Sequence, residues 1–108
     1  MARVVLNGAL LKDAAAFHAQ SQAAFGFPDS YGHSIDAWVD CLSYLRDADA
    51  MAAVPLAADE VLTIEIANSG AFAAQAPELL EELRFCVDMI NDRYADYGEP
   101  PALALVLR

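Results

Sequence analysis

The sequence predicts an α/β domain built as a single layer pair, a small three-stranded parallel sheet packed with about four helices. Three observations carry that prediction. Short apolar runs at 4–6, 61–66 and 103–107 are separated by stretches in which apolar side chains recur at helical spacing, and strands alternating with helices imply right-handed crossovers into a parallel sheet. The middle run, Val61-Leu62-Thr63-Ile64-Glu65-Ile66, is apolar almost without a break, as a central parallel strand is. With 108 residues, the chain makes one domain, spanning 1–108, that can bury a core without disulfides or metals.

Each element follows from local chemistry. Val4-Val5-Leu6, stopped by Asn7-Gly8, reads as a short buried strand and a turn. From Asp13 the pattern is helical through Phe25, with Ala14, Phe17, Gln20 or Ser21, and Ala24 on one face, and it ends at Gly26 before Pro28. His18 in this helix reads as a packed or surface histidine without chemistry, because no second ligand stands at metal-binding spacing. Ser34 can cap the next helix, and Asp36 falls in its first turn, where the helix dipole favours a carboxylate. Ile35, Trp38, Cys41 or Leu42, and Leu45 then point inward and leave Asp36, Val39, Asp40 and Ser43 on the outer face. Two like charges one turn apart cost a helix a few tenths of a kcal/mol, roughly, so their placement asks for a reason other than folding.

Residues 47–60, alanine-rich and containing Pro55, read as a surface connection to the central strand. Asn68-Ser69-Gly70 reads as a turn and Phe72 to Gln75 as a helical turn. Pro77 suits the first position of a long helix from Glu78 to about Tyr94, whose core stripe is Leu79, Leu80, Leu83, Cys86 or Val87, and Ile90. Gly98-Glu99-Pro100-Pro101 ends that helix and leads into the last strand.

Composition excludes some functions. Sixteen acidic against six basic residues give a net charge of −10, which repels a phosphate backbone and argues against nucleic-acid binding. The natural partner is basic, although acidity by itself also serves solubility. No apolar stretch approaches the roughly 18 to 20 residues that span a bilayer, and Met1-Ala2-Arg3-Val4-Val5 lacks the apolar run of a signal peptide, so a cytoplasmic location without membrane attachment is expected. Cys41 and Cys86 lie in apolar patterns and read as buried free thiols; no metal or cofactor is implied. His33, Cys41, Asp36 and Asp40 are the one compact polar constellation. Cys41 falls on the apolar stripe and His33 on the loop before the cap, and no phosphate-binding glycine loop is present, so no enzyme is predicted.

Residues 28–42 read Pro28-Asp29-Ser30-Tyr31-Gly32-His33-Ser34-Ile35-Asp36-Ala37-Trp38-Val39-Asp40-Cys41-Leu42. This run resembles, nearly position by position, the recognition segment of the barstar family, where Pro, Tyr-Gly, Leu-Asp-Ala and Asp-Cys-Leu recur. Val4, Leu6-Asn7-Gly8, His18, Leu62-Thr63-Ile64-Glu65 and the last strand extend the likeness along the chain. The resemblance implies a barstar-like fold and a stoichiometric inhibitor, monomeric when free, that plugs the active site of a small basic ribonuclease of the barnase type. Carried over, Asp40 stands where a substrate phosphate would bind, Asp36 is the second acidic contact, Gly32 lets the loop backbone approach the enzyme, and Ser34 takes the family's asparagine position.

Departures from the family accompany the match. The family's Tyr-Tyr-Gly is Ser30-Tyr31-Gly32, and its Leu-Trp-Asp is Trp38-Val39-Asp40, which puts Ser30 and Val39 at contact positions in place of aromatics. Shifting the tryptophan by one residue turns it by about 100° and sends Trp38 to the core. Tyr44 joins the expected contacts, while Leu45 replaces a further family tryptophan. Asp88 and Asp92 lie where the family uses acidic residues on its last helix, although equally good registers place Val87 or Asn91 there and a solvated helix face is the plainer reading of both. The alternative function is an acidic immunity module of the same fold that binds a different basic protein or toxin.

Overall fold

The computed structural model describes residues 2–46, 56, 57 and 59–108. β1 (Ala2–Asn7) leads through a short 3-10 turn (Gly8–Leu10) to α1 (Ala14–Phe25) and α2 (Ile35–Leu42). β2 (Leu62–Ala67), α3 (Ser69–Gln75), α4 (Pro77–Asp96) and β3 (Leu103–Leu107) follow. The sheet has the order β1-β2-β3, parallel throughout, so the most apolar run is the central strand. Leu6, Ile66 and Leu107 share one rung, and Val5, Glu65 and Val106 the next one back.

The caps explain the boundaries. Asp13 accepts from the Ala16 N–H at 2.9 Å and starts α1, and Gly26 ends it in the left-handed conformation, where a Cβ would be strained. Asn68 takes the same region of backbone space (φ 53°), and its carbonyl accepts from the Ala71 and Phe72 N–H groups, so the expected turn at 68–70 is a single residue and α3 starts at Ser69. Asn91 brackets the entry to β3, accepting from the Ala102 and Leu103 N–H groups and donating to the Leu103 carbonyl, each at 3.0 Å.

One core joins the helices to the sheet, with Trp38, Phe17, Phe25, Phe72 and Ile64 among its fully buried side chains. Two expectations need correction. In β1 only Val4 and Leu6 are buried, because the opposite face of that edge strand, with Arg3 and Val5, looks to solvent. In α1 the buried stripe is Phe17, His18, Ser21 and Phe25, while Ala14 is exposed; the bulky residues, not the first alanine, set the face. On the outer side of the sheet Glu65 is buried between Arg3 and Arg108, and the Arg3 hydrogen bond at 2.6 Å holds its carboxyl below the usual range despite burial. The surface connection expected at 47–60 lies mostly outside the described residues. Where the chain is described again, Leu56 is buried and its N–H donates to the Leu45 carbonyl at 3.1 Å.

Candidate functional site

Ser34 and Trp38 fix the pose of α2. The Ser34 hydroxyl accepts from the Ala37 N–H at 3.1 Å, and His33 enters the cap with φ 51°, a left-handed conformation that costs a residue with a Cβ about 1–2 kcal/mol. Trp38 is fully buried against Phe17 and Phe25 of α1, and its indole N–H reaches the Ser21 hydroxyl at 3.3 Å. With that face turned inward, Asp36 and Asp40 both emerge into solvent on the opposite side, one turn apart.

A second clamp holds the far end of α2. The Tyr94 hydroxyl donates to the Leu42 carbonyl and accepts from the Leu45 N–H, both at 3.0 Å. Arg46, with a side chain only 5% exposed, lies over the Tyr94 ring and donates to the carbonyls of Glu60, Pro100 and Pro101 and to the Glu99 carboxylate. Together these bonds dock the end of α2 onto α4 and the turn that follows it.

The loop before the helix is held by rings. Tyr31 is buried among Phe27, His18 and His33, with its hydroxyl 2.6 Å from Nδ1 of His18. Burial pushes the Tyr31 hydroxyl well above its ordinary pKa, and burial together with the nearby His33 lowers that of His18. Ser30, Gly32 and Ser34 remain exposed beside this anchor. A Cβ added at Gly32 would meet only the Ala37 Cβ, at 3.7 Å, which is ordinary contact.

Val39 is corrected: at 2% exposure it is core, not surface. It stands one turn before Ser43, whose hydroxyl donates to the Val39 carbonyl at 2.6 Å and accepts from Arg93 of α4 at 3.2 Å. Trp38 is core as expected, and Tyr44 is exposed. Asp88 and Asp92 are exposed and make no ion pair with the described residues. Arg93 is the residue of α4 that reaches Asp40, and helix geometry places Asp92 about 100° and Asp88 about 140° round from it, so the two aspartates are not gathered at Asp40.

Asp40 opens instead onto a cleft of about 660 Å³. From α2 and its end come Asp40, Ser43 and Tyr44; from α4 and the following turn come Arg93, Tyr94, Asp96, Tyr97 and Glu99. Arg93 Nη1 stands 3.6 Å from the Asp40 carboxylate, both side chains remaining about half exposed (44% and 61%). None of the α4 residues of this wall is among the expected contacts. A signal existed, since Arg93 and Tyr97, seven and eleven residues after Cys86 of the stripe, carry that side of α4 past Ile90.

The rest of the polar constellation stays apart. Burial raises the Cys41 thiol away from the thiolate, and the His33 ring is engaged with Gln22 at 2.9 Å. Among the described residues no three His, Cys, Asp or Glu side chains are placed to hold a metal, and no helix is long and apolar enough to cross a membrane. What the surface offers chemically is carboxylates for cations.

A protein-family model described as barstar (barnase inhibitor) matches residues 1–106. The chain belongs to the barstar family. A search of the curated proteins returned no match. The barstar family accounts for the element order and the parallel sheet with β2 at its centre, and it makes this chain a barnase-inhibitor-like protein.

Proposed function

We propose that this protein is a stoichiometric, non-catalytic inhibitor that occludes the active site of a small basic ribonuclease of the barnase type. The observation that carries the reading is the pair Asp36 and Asp40, exposed on the outer face of a helix whose opposite face is locked into the core, in a chain of the barstar family. A carboxylate that enters a water-poor pocket of arginine and histidine makes charge-assisted hydrogen bonds where a substrate phosphate would otherwise sit. Gly32, Ser34 and Ser30 extend the contact along the loop, Tyr44 borders it, and Asp88 and Asp92 take no central part.

The net charge of −10 steers encounter with a basic partner, so association slows with added salt while Asp40 governs dissociation. The test is to titrate the purified protein into a barnase-type ribonuclease, and into any ribonuclease encoded beside it, following RNA cleavage. Inhibition that saturates at one-to-one and weakens by at least about thirtyfold with Asp40→Ala is the expected outcome, since hot-spot truncations cost ~2 kcal/mol or more, a range to which barnase and barstar themselves contribute. No inhibition by the wild type would transfer the reading to an acidic module for another basic protein.

A further inference from the structure

The carboxylate assigned to the partner already has a guanidinium on it. Arg93 Nη1 lies 3.6 Å from Asp40 Oδ1 and 3.2 Å from the Ser43 hydroxyl, so one α4 side chain bridges to two positions on the outer face of α2. Arg46, the other arginine at this end of α2, is buried and committed to the carbonyls of residues 60, 100 and 101, so Arg93 alone of the two is free to move. The contact is loose in distance and half exposed, which is the kind of ion pair that contributes little to stability and exchanges readily. The cleft beside it gives Arg93 room to swing, and Asp96, three residues further along α4 and lining the same cleft, offers a second carboxylate at helical neighbour spacing.

We propose that Arg93 is an internal competitor that lowers the affinity of the acidic face: its Nη1 holds Asp40 in the free protein, and a basic partner must displace it with a cationic side chain of its own. The inference rests on the inhibitor reading for the identity of the partner but not for the competition itself. A displaced Arg93 that stayed beside the partner's cation would add like-charge repulsion, so the competitor acts both by occupying Asp40 and by its charge.

The test compares Arg93→Gln with Arg84→Gln. Arg84 lies on the same helix, is about half exposed and pairs with Glu81, so its loss changes net charge equally without touching Asp40. Affinity for a barnase-type ribonuclease, measured by calorimetry, is expected to rise about threefold or more in Arg93→Gln relative to Arg84→Gln, and the gain to vanish when both are placed in an Asp40→Asn background. Equal affinities for the two variants, or weaker binding by Arg93→Gln, would overturn the proposal. A hexa-arginine peptide titrated into the same four proteins supplies the second readout. If no ribonuclease binds but Arg93→Gln still takes the peptide more tightly than Arg84→Gln, the inhibitor reading falls and the competitor stands. If wild type inhibits and neither readout separates the two variants, the competitor falls and the inhibitor reading stands.

Discussion

The two ends of α2 are held by different kinds of bond. Its start is built locally: Ser34 caps the helix three residues away, Tyr31 anchors the loop, and Trp38 fills the core against α1. Its end is built from afar, by Tyr94 and Arg46 reaching across some fifty positions of sequence to the carbonyls of Leu42, Pro100 and Pro101. Asp36 sits at the first end and Asp40 at the second. A helix pinned only at its start would present Asp36 in a fixed pose and let Asp40 swing; the second clamp is what makes both carboxylates one rigid surface.

Removing a support at either end should expose that difference. The largest effect belongs to Trp38→Ala, which empties a fully buried site and should lower unfolding stability by ~3–5 kcal/mol, read from urea denaturation. Tyr94→Phe keeps the ring and deletes the hydroxyl that both donates to Leu42 and accepts from Leu45, leaving buried backbone groups unpaired at a cost of ~1–3 kcal/mol. The comparison predicts a contrast in amide hydrogen exchange: Tyr94→Phe should speed exchange at residues 41–45 more than at 35–38. Uniform acceleration along α2 would mean that the two clamps act as one.

A smaller effect is tied to the first end by pH. The lowered pKa of His18 means that the folded state favours the neutral ring, so the unfolded chain binds more protons on acidification. Stability from this group is fully present above the ordinary histidine value of 6.5 and is lost as pH falls below it towards the folded value. The urea midpoint should therefore drop between neutral pH and about pH 5, and His18→Gln should flatten that dependence. The nearby groups that could confuse the reading are His33 and Tyr31, and Tyr31 stays protonated throughout. An unchanged slope in His18→Gln would place the acid sensitivity elsewhere.

The same division explains what could be read from the sequence. The caps at Ser34 and Gly26, the inward turn of Trp38 and the placement of Asp36 and Asp40 follow from neighbours within one or two turns, and the central place of β2 from its nearly unbroken apolar run. Val39 departs from the expectation because a helix wheel knows one buried face, whereas α2 and its end meet α1 through Trp38 and α4 through Tyr94 and Arg93, and Val39 is buried too. The wall that Arg93, Asp96 and Tyr97 form beside Asp40 is not predicted because the pattern along α4 marks a side of the helix without saying which element, forty or more residues away, that side will meet. His18 reads in the sequence as a histidine without chemistry; its bond to Tyr31, thirteen positions on, is equally invisible to periodicity.

The smallest expected effect on folding is the sharpest for function, and it falls at the local end. Gly32 has no left-handed backbone to relieve, and an added Cβ would meet one methyl group at 3.7 Å. Gly32→Ala therefore fits the free protein, and losing glycine's extra freedom in the unfolded chain should leave stability unchanged or raised by up to ~1 kcal/mol. It occupies an exposed loop between the buried Tyr31 and the Ser34 cap, which in the proposed complex meets the partner with bare backbone. A methyl group there should weaken inhibition of a barnase-type ribonuclease by about tenfold, the equivalent of one misfitted contact of ~1.4 kcal/mol. The discriminating measurement is both quantities on one preparation, the urea midpoint and the inhibition constant. An intact midpoint with weakened inhibition assigns Gly32 to the contact surface, whereas unaltered inhibition would move the partner off this loop and towards the α4 wall of the cleft.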